Sequence, residues 1–313
     1  MFAYILRRLW QMLPTMAGVV VLVFVLFNWV GGDPSYLLAG KMADAQAIAN
    51  IRTQLGLDQP IWWQFLDWMG TLLRGDLGRS MFWGDSVFSL VAQRAPPTIS
   101  LAFTTSIVAV SLALVMGVAA AARAGTFVDR LVMAFAALGF SVPVFVVGYF
   151  LIFVFAIQLR WLPVQGFTPI TEGVWPWLRN LILPSIALGL AYVALIARIT
   201  RTTMLDVLAE DYMRTARAKG VAVRPMLFRH ALKNAAVPIV TVIGNGVALL
   251  IGGVVITETV FNIPGIGRLV VDAIARRDYP IIQGVILLFS GVYVLVNFAV
   301  DLSYTLFDPR VRG

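Results

Sequence analysis

Six apolar segments, each about as long as a membrane is thick, constrain this chain more than any other feature. A helix of about 20 mostly apolar residues crosses the hydrocarbon core of a bilayer with all its backbone hydrogen bonds satisfied. The sequence therefore predicts an all-α polytopic membrane protein with one membrane domain, and it argues against a soluble enzyme. The predicted spans are residues 9–30, 98–122, 131–157, 178–197, 237–260 and 281–307.

The distribution of basic residues predicts how these spans are oriented. An even number of spans places both termini on the same side of the membrane. If that side is the cytoplasm, the short inner segments hold 14 of the 24 Lys and Arg residues, and the longer outer segments hold the others. Because cytoplasmic loops carry an excess of Lys and Arg, both termini are predicted to be cytoplasmic. The net charge of +8 then reflects topology rather than nucleic-acid binding.

The outer segment between the first two spans is predicted to contain two short helices. The first begins after Asp44, whose carboxylate can cap it, and ends at Gly56. In the second, apolar residues including Trp62, Phe65 and Met69 recur at helical spacing. Since tryptophan favours the membrane–water interface, this helix is expected on the outer surface or against the bundle. The alternative is a docking surface where these three residues contact an external protein.

The residue inventory excludes several kinds of site. With no cysteine and one histidine, His230, the chain cannot form a disulfide or a Cys/His metal centre, and no metal site is expected. A P-loop needs Gly-Lys followed by Ser or Thr, but the three lysines precede Met42, Gly220 and Asn234. The histidine lies among basic residues that supply no nucleophile. The sequence therefore predicts no catalytic residue and no ATP site in this chain.

Two acids and two rows of small residues lie within the predicted spans. Glu258 lies near the outer end of the fifth span, and Asp301 lies near the inner end of the sixth. An ionisable group in a bilayer is costly unless it is paired or hydrated. Near span ends such pairing is easily made, which favours a structural role over proton or substrate handling.

Small residues recur at four-residue spacing in two spans: Ala109, Ala113, Gly117 and Ala121 in the second, and Gly244, Ala248 and Gly252 in the fifth. Such rows favour close helix packing, although a subunit interface or a pore lining stays open.

A basic, polar stretch interrupts the apolar pattern between the fourth and fifth spans. Residues 198–236 hold eight of the Lys and Arg residues. An amphipathic segment from Tyr212 to Lys219 is broken by Gly220, and a second segment from Met226 to Ala235 leads into the fifth span. This pattern predicts a helix–turn–helix across the inner face. Its small residues allow a partner's groove to approach closely, which favours a protein-docking loop over a solvated connector.

The chain resembles the permeases of ABC importers, in the dipeptide/oligopeptide branch that includes nickel and glutathione importers, and within it the first of the two permease subunits. The resemblance covers nearly the whole chain. It is carried by Gly32-Asp33-Pro34, Leu55-Gly56-Leu57-Asp58-Gln59-Pro60, Gly75-Asp76-Leu77-Gly78, Arg214-Thr215-Ala216-Arg217-Ala218-Lys219-Gly220, His230-Ala231-Leu232-Lys233-Asn234-Ala235, Glu258-Thr259-Val260-Phe261, Pro264-Gly265-Ile266-Gly267-Arg268-Leu269, Arg277-Asp278-Tyr279-Pro280 and Asp308-Pro309-Arg310.

The resemblance implies a type I ABC importer permease fold and import of peptides or similar small solutes across a bacterial inner membrane by alternating access. It implies three kinds of partner: a second homologous permease, two ABC ATPase subunits that bind ATP and magnesium, and an extracytoplasmic solute-binding protein. It also implies a first part, 1–97, with the first span and the outer segment, and a permease core, 98–313, with the coupling loop 198–236. An ion-coupled secondary transporter is the alternative, but it predicts inverted repeats and midplane acids, and neither is evident.

The resemblance also assigns residues to the contact with the ATPase. In the wider superfamily the loop reads Glu-Ala-Ala, three residues, then Gly, whereas here Arg214, Thr215 and Ala216 precede Gly220. The acid that forms the usual salt bridge to the ATPase is thus left open, with Glu210 or Asp211 as substitutes. The residues expected to couple to the ATPase are Glu210, Asp211, Arg214, Thr215, Ala216, Arg217, Lys219, Gly220 and His230.

Overall fold

The computed structural model describes residues 2–30, 35–36, 44–54 and 56–307. Three sets of motif residues lie outside the described residues: Gly32-Asp33-Pro34, Leu55 and Asp308-Pro309-Arg310. Within the described part the secondary structure is helical, with one isolated β-bridge between Arg79 and Ser86. The helices are α1 (Phe2–Val30), α2 (Ala45–Gln54), α3 (Ile61–Leu73), α4 (Val87–Ala122), α5 (Phe127–Ser141), α6 (Val144–Leu151), α7 (Val174–Ala209), α8 (Asp211–Ala218), α9 (Val223–Pro225), α10 (Leu232–Asn234), α11 (Ala236–Val260), α12 (Ile266–Arg276) and α13 (Tyr279–Phe307).

Five of the described helices are long and apolar enough to cross a membrane, and the bent pair of α5 and α6 makes a sixth if the two are counted as one span. The spanning segments are Leu6–Asn28, Val87–Ala122, Val174–Ala209, Ala236–Val260 and Tyr279–Ser303, with Phe127–Ser141 and Val144–Gln158 as the broken pair. These segments confirm the predicted all-α membrane protein. The second and fourth are longer than predicted, since α4 and α7 each run for 36 residues.

The third predicted span, 131–157, is wrong as a single helix. It consists of α5 and α6, followed by a π-helical turn, Ile152–Gln158, and the two halves of the span meet at a bend of 104°. Val142 between them is extended, with φ −94° and ψ 124°. Proline has no N–H for the helical ladder and restricts the preceding residue to extended conformations, so Pro143 explains the break.

Contacts between residues divide the chain into two compact units. The larger unit comprises residues 1–8, 96–268 and 293–313, and the smaller unit comprises residues 9–95 and 269–292. Family resemblance placed one boundary at residue 97, and that division stays a prediction.

In the larger unit, α7 is the central helix and packs against α5, α6 and α11. The row of small residues on α4 also lies against α7. Ala109 and Ala113 are fully buried, and a Cβ at Gly117 would lie 2.6 Å from Thr200 Cβ on α7. These contacts confirm the packing interpretation for α4.

The row of small residues on α11 divides into two parts. A Cβ at Gly244 would overlap the side chain of Val300 on α13, so this glycine permits close helix packing. Ala248 is exposed, and nothing lies within 4 Å of a Cβ at Gly252. A subunit interface or a pathway lining therefore stays open for these two residues.

In the smaller unit, α3 packs against spanning segments. Phe65, Trp68, Met69 and Leu72 of α3 surround a buried cluster of Val20, Val23 and Leu287. The preceding helix, α2, begins as predicted, because the Ala47 N–H donates a hydrogen bond of 2.8 Å to the Asp44 carboxylate. It ends at Gly56, which has a φ of +65°.

The start of α13 is fastened within the same unit. The Asp278 carboxylate is fully buried, and it accepts a hydrogen bond of 2.5 Å from the Ser80 hydroxyl and one of 3.3 Å from the Met81 N–H. A buried carboxylate is costly unless it is hydrogen-bonded. These two hydrogen bonds therefore give Asp278, in the motif Arg277–Pro280, a structural role.

Candidate functional site

The basic stretch between α7 and α11 forms the predicted helix–turn–helix. The first helix, α8, covers Asp211–Ala218 and ends before Gly220, whose φ of +77° only glycine adopts readily. The second helical segment consists of α9, a π-helical turn at Met226–Ala231, and α10. Glu210 begins α8 in the N-cap position, although its side chain makes no capping hydrogen bond.

A single methionine fixes α8 to the larger unit. Met213 is fully buried in a cluster that includes Met204 of α7 and Met226. An eight-residue helix is not stable in isolation, and burying a methionine side chain contributes about 1.5–3 kcal/mol. The position of α8 therefore depends on Met213. Sequence reasoning missed this residue, although it is the one large aliphatic side chain in the segment Asp211–Arg217.

The Tyr212 hydroxyl of α8 lies beside Asn234 in the turn before α11. Burial raises the pKa of this hydroxyl, the negative charge of Glu210 raises it further, and hydrogen bonding with the Asn234 side chain lowers it. The net direction of the pKa shift is upward.

The other side of α8 presents predicted coupling residues to the surroundings. Arg214 donates a hydrogen bond of 3.2 Å to Asp211, and both side chains are largely exposed. Such an exposed pair contributes little stability, so either partner can exchange it for another contact. Nothing in this chain lies within 4 Å of a Cβ at Gly220. The exposed predicted residues are Glu210, Asp211, Arg214, Thr215, Arg217, Lys219 and Gly220, whereas Ala216 and His230 are partly buried.

An ion pair holds the end of α7 from which α8 continues. Asp129, in the first turn of α5, is 4% exposed. Its two carboxylate oxygens accept hydrogen bonds from Nε and Nη2 of Arg201 on α7, and the Gly125 N–H donates a third at 2.8 Å. From the sequence, Arg201 had no role beyond its place in the basic stretch 198–236. The pairing across 72 positions was missed, and no local signal reveals it.

Glu258 organises the opposite end of α11. Its carboxylate is fully buried, accepting a hydrogen bond of 2.5 Å from the Thr98 hydroxyl and one of 3.0 Å from the Arg268 N–H. The Thr98 oxygen in turn accepts a bond of 2.8 Å from the Ile266 N–H. A Cβ at Gly265 would overlap the carboxylate, so the glycine of this motif allows the loop to pass close to it. The arrangement positions the loop and leaves the carboxylate enclosed.

The second intramembrane acid, Asp301, forms an ion pair with Arg8 of α1, with Nη1 3.2 Å from Oδ2. The structure thus does not bring Glu258 and Asp301 together, since each has partners of its own. Among the described residues no three His, Asp or Glu side chains form a group that could hold a metal ion. The arrangement supplies rigid connections rather than reactive groups.

The three residues proposed for contact with an external protein differ in their exposure. Phe65 and Met69 are partly buried against Val20 and Val23, and only Trp62 is largely exposed, at 56%. The residues at i and i+4 follow the core-facing row of the helix. Contact of these three residues with an external protein therefore stays a prediction, with Trp62 the most exposed of them.

Two family models together match most of the chain. The model described as binding-protein-dependent transport system inner membrane component matches residues 113–313. A second, described as the N-terminal membrane component of binding-protein-dependent transport systems, matches residues 1–102. The first match includes α7 with Arg201, the exposed helix α8, and α11 with Glu258.

Curated proteins are similar over the full length. The chain is 58% identical over 312 residues to the probable peptide ABC transporter permease protein y4tP of Sinorhizobium fredii (strain NBRC 101917 / NGR234), with both chains covered completely. It is 44% identical to the glutathione transport system permease protein GsiC of Shigella flexneri serotype 5b (strain 8401) and to GsiC of Escherichia coli (strain K12), covering 100% of this chain and 99% of each relative.

The fold is also similar to a solved structure. A chain in the inward-facing MetNI methionine ABC transporter superposes with a TM-score of 0.57 at 16% sequence identity. The match covers 71% of this chain and 97% of that chain. At this identity the likeness concerns the fold alone.

Proposed function

Because this chain belongs to the family of binding-protein-dependent transport system inner membrane components, and is thus the permease subunit of an ABC importer, we propose that it imports peptides or small peptide-like solutes. The names of its relatives, a peptide permease and glutathione permeases, support this substrate class. ATP hydrolysis in this family is carried out by separate ATPase subunits. The chain is a multi-pass membrane protein, and its spans form the permeation part of the complex.

One observation carries the mechanism: an exposed helix, α8, is rigidly connected to the central helix of the larger unit. Met213 anchors α8 beside Met204 of α7, and Arg201 clasps the same end of α7 to α5 through Asp129. A force applied to α8 is therefore passed to α7 rather than absorbed by a loose loop. Since α7 packs against α5, α6 and α11, these helices move together as a rigid body.

The composition of the complete importer follows from this division of labour. The permease pairs with a second homologous permease, and each of two ATPase subunits binds one exposed α8. An extracytoplasmic binding protein delivers the solute to the opposite side. ATP and magnesium are held by the ATPases. Closure of the ATPases pushes α8, and the spans then switch access from one side of the membrane to the other.

The basic residues of α8 indicate the character of the contact. Arg217 is exposed near the end of α8 and Lys219 just after it, and Asp211 forms an exposed ion pair with Arg214. We assign Asp211 or Glu210 as the acid that meets the ATPase, since both are exposed at the start of the helix. Charge reversal at Arg217 and Lys219 should lower solute-stimulated ATPase activity without affecting membrane insertion.

Ion-coupled secondary transport, the alternative from the sequence, gains no support. A coupling-ion site would need intramembrane acids able to bind and release an ion near the midplane. Both intramembrane acids lie near span ends, where Glu258 holds a loop and Asp301 pairs with Arg8. Both carboxylates are thus already bound by groups of this chain rather than open to a coupling ion.

Gly220 allows the docking proposal to be tested with a matched control. Gly220 and Gly75 each follow a helix, at φ +77° and +80°, and each donates its N–H to the carbonyl three residues earlier. Nothing lies within 4 Å of a Cβ at either position. Asparagine tolerates this backbone conformation, so Gly220→Asn and Gly75→Asn add bulk with equal and small strain.

In the reconstituted complex, Gly220→Asn should reduce ATPase stimulation by the solute-loaded binding protein about fivefold or more, the scale of a coupling free energy above 1 kcal/mol. Gly75→Asn, in the smaller unit, should retain the stimulation. Equal stimulation in both variants would show that α8 does not receive the ATPase.

A further inference from the structure

The helix α3 has three different faces, and each meets a different environment. One row, formed by Phe65, Trp68, Met69 and Leu72, packs on α1 and α13. The ring of Phe24 on α1 lies 5.0 Å from the ring of Phe65 and 5.6 Å from that of Trp68. This row fixes α3 to two membrane-spanning segments within the smaller unit.

The depth of this contact can be measured along both spans. Val20 lies ten residues from Val30, where α1 ends, and Leu287 lies eight residues from Tyr279, where α13 begins. At 1.5 Å per residue they are about 15 Å and about 12 Å from these helix ends. The two ends are level, since the rings of Phe27 and Tyr279 are 5.6 Å apart.

The two spans are somewhat longer than the hydrocarbon core. The two helices have 29 residues each and extend about 43 Å against a core of about 30 Å, so about 7 Å at each end lies outside it. The cluster that α3 packs against therefore lies about 5–8 Å inside the hydrocarbon region. At the same level α1 exposes apolar side chains to the surroundings, including Val21, Leu22, Val25 and Leu26.

The second face of α3 is polar and faces a cavity of about 920 Å³ within the smaller unit. Gln64, Asp67 and Thr71 line it, together with Asn28 and Gln283 from the two spans. Asp67 is the one charged residue of α3. Because its side chain faces a roomy cavity that is lined in part by polar side chains and can hold water, the helix can be immersed without placing a charge among acyl chains.

The third face is apolar and exposed, apart from the Trp62 ring, which stacks on Trp63 of the same helix with 4.8 Å between ring centroids. Trp62, Leu66 and Leu73 are 56%, 51% and 81% exposed, and none of them lines the cavity. With 100° per residue these three lie within about 40° of one another on the helix. This face is defined as the outer face of α3.

We propose that the outer face of α3 contacts the acyl chains of the membrane leaflet on its side, so that α3 is a partly immersed helix rather than a surface helix. The helix satisfies its own backbone hydrogen bonds, as any lipid-exposed segment must. Its depth, its apolar outer face and the placement of its charge on the cavity side all agree. The partner of this surface is lipid.

The chain contains no cysteine, so single-cysteine variants need no prior substitutions. Nitroxide labels at Leu66→Cys and Leu73→Cys are read by power saturation in the complete complex, in nanodiscs without binding protein. Val25→Cys, on the exposed apolar side of α1, is the lipid reference, and Glu172→Cys, exposed between α6 and α7, is the aqueous reference. Oxygen partitions into lipid, while a soluble nickel chelate stays in water.

The proposal expects the labels at Leu66 and Leu73 to match Val25, with high oxygen accessibility and loss of nickel accessibility. Nickel accessibility equal to that at Glu172, removed only when binding protein is added, would overturn it in favour of a docking face. Labels shielded from both reagents would overturn it in favour of a permanent protein contact.

A second measurement needs no label. Brominated phospholipids quench tryptophans that touch acyl chains, and Trp62→Phe should remove part of the quenchable fluorescence. Quenching left unchanged by Trp62→Phe would contradict lipid contact at this face. Neither readout depends on α8, so the failure of the lipid proposal would leave the proposed coupling to the ATPase standing.

Discussion

Removing the Arg201 side chain should destabilise the larger unit and weaken its connection to α8. Asp129 is 4% exposed, and Arg201 donates two of the three hydrogen bonds that its carboxylate accepts from Arg201 and Gly125. Arg201→Ala leaves this buried charge without its counter-ion. Breaking a buried ion pair from one side costs about 3–5 kcal/mol, because the remaining charge is no longer compensated.

The chain offers a matched control on the same helix. Arg198 lies three residues earlier on α7 and is exposed. Arg198→Ala removes the same side chain and should change the free energy of unfolding by no more than about 0.5 kcal/mol. Adding Asp129→Asn to Arg201→Ala removes the uncompensated charge and should recover part of the loss, giving a coupling energy of about 0.5–3 kcal/mol in a double-mutant cycle.

Thermal unfolding of the purified complex, followed by tryptophan fluorescence, measures the effect. If each kcal/mol moves the midpoint by about 2 °C, Arg201→Ala should lower it by about 6–10 °C relative to Arg198→Ala. Since the clasp holds the end of α7 that leads into α8, solute-stimulated ATPase activity should fall as well. Equal midpoints and equal stimulation in Arg201→Ala and Arg198→Ala would refute the reasoning.

Two further substitutions test the packing around the site. Met213→Ala should lower the free energy of unfolding by about 2–5 kcal/mol and detach α8, so that trypsin cleaves the α8 segment faster. Met213→Leu should lower it by less than about 1.5 kcal/mol and leave the segment resistant. Equal cleavage rates in the two variants would argue against Met213 as the anchor. Gly265→Ala should lower the unfolding midpoint because its Cβ overlaps the Glu258 carboxylate, whereas Gly252→Ala, with no atom within 4 Å, should not; matching midpoints would show that the loop tolerates the shift.

The membrane fold could be predicted from the sequence because each span is a local property. Twenty apolar residues in a row identify a helix without knowledge of its neighbours. The break in the third span was also a local signal, since Pro143 lies inside the run 131–157, but apolar length alone outweighed it. The lengths of α4 and α7 were underestimated because both helices continue into polar sequence beyond the apolar core.

The connections that make the site rigid could not be predicted, because they join distant positions. Asp129 and Arg201 are 72 residues apart, and Thr98 and Glu258 are 160 residues apart. In one sequence each of these side chains is an ordinary polar residue near a span end. Hydrophobic periodicity gives the faces of α3, but its depth follows only from the packing of Phe65 and Met69 on the spans.

The central claim is that a separate ATPase moves this chain by holding α8, and site-directed cross-linking tests it most directly. Ala218 is exposed on α8, and Arg74 is exposed after α3. A photoactivatable cross-linker on Ala218→Cys in the assembled complex should attach the chain to the ATPase subunit, with a yield that changes when ATP binds, whereas the same group on Arg74→Cys should not. An Ala218→Cys variant that transports normally yet yields no ATPase product, with or without ATP, would contradict the account.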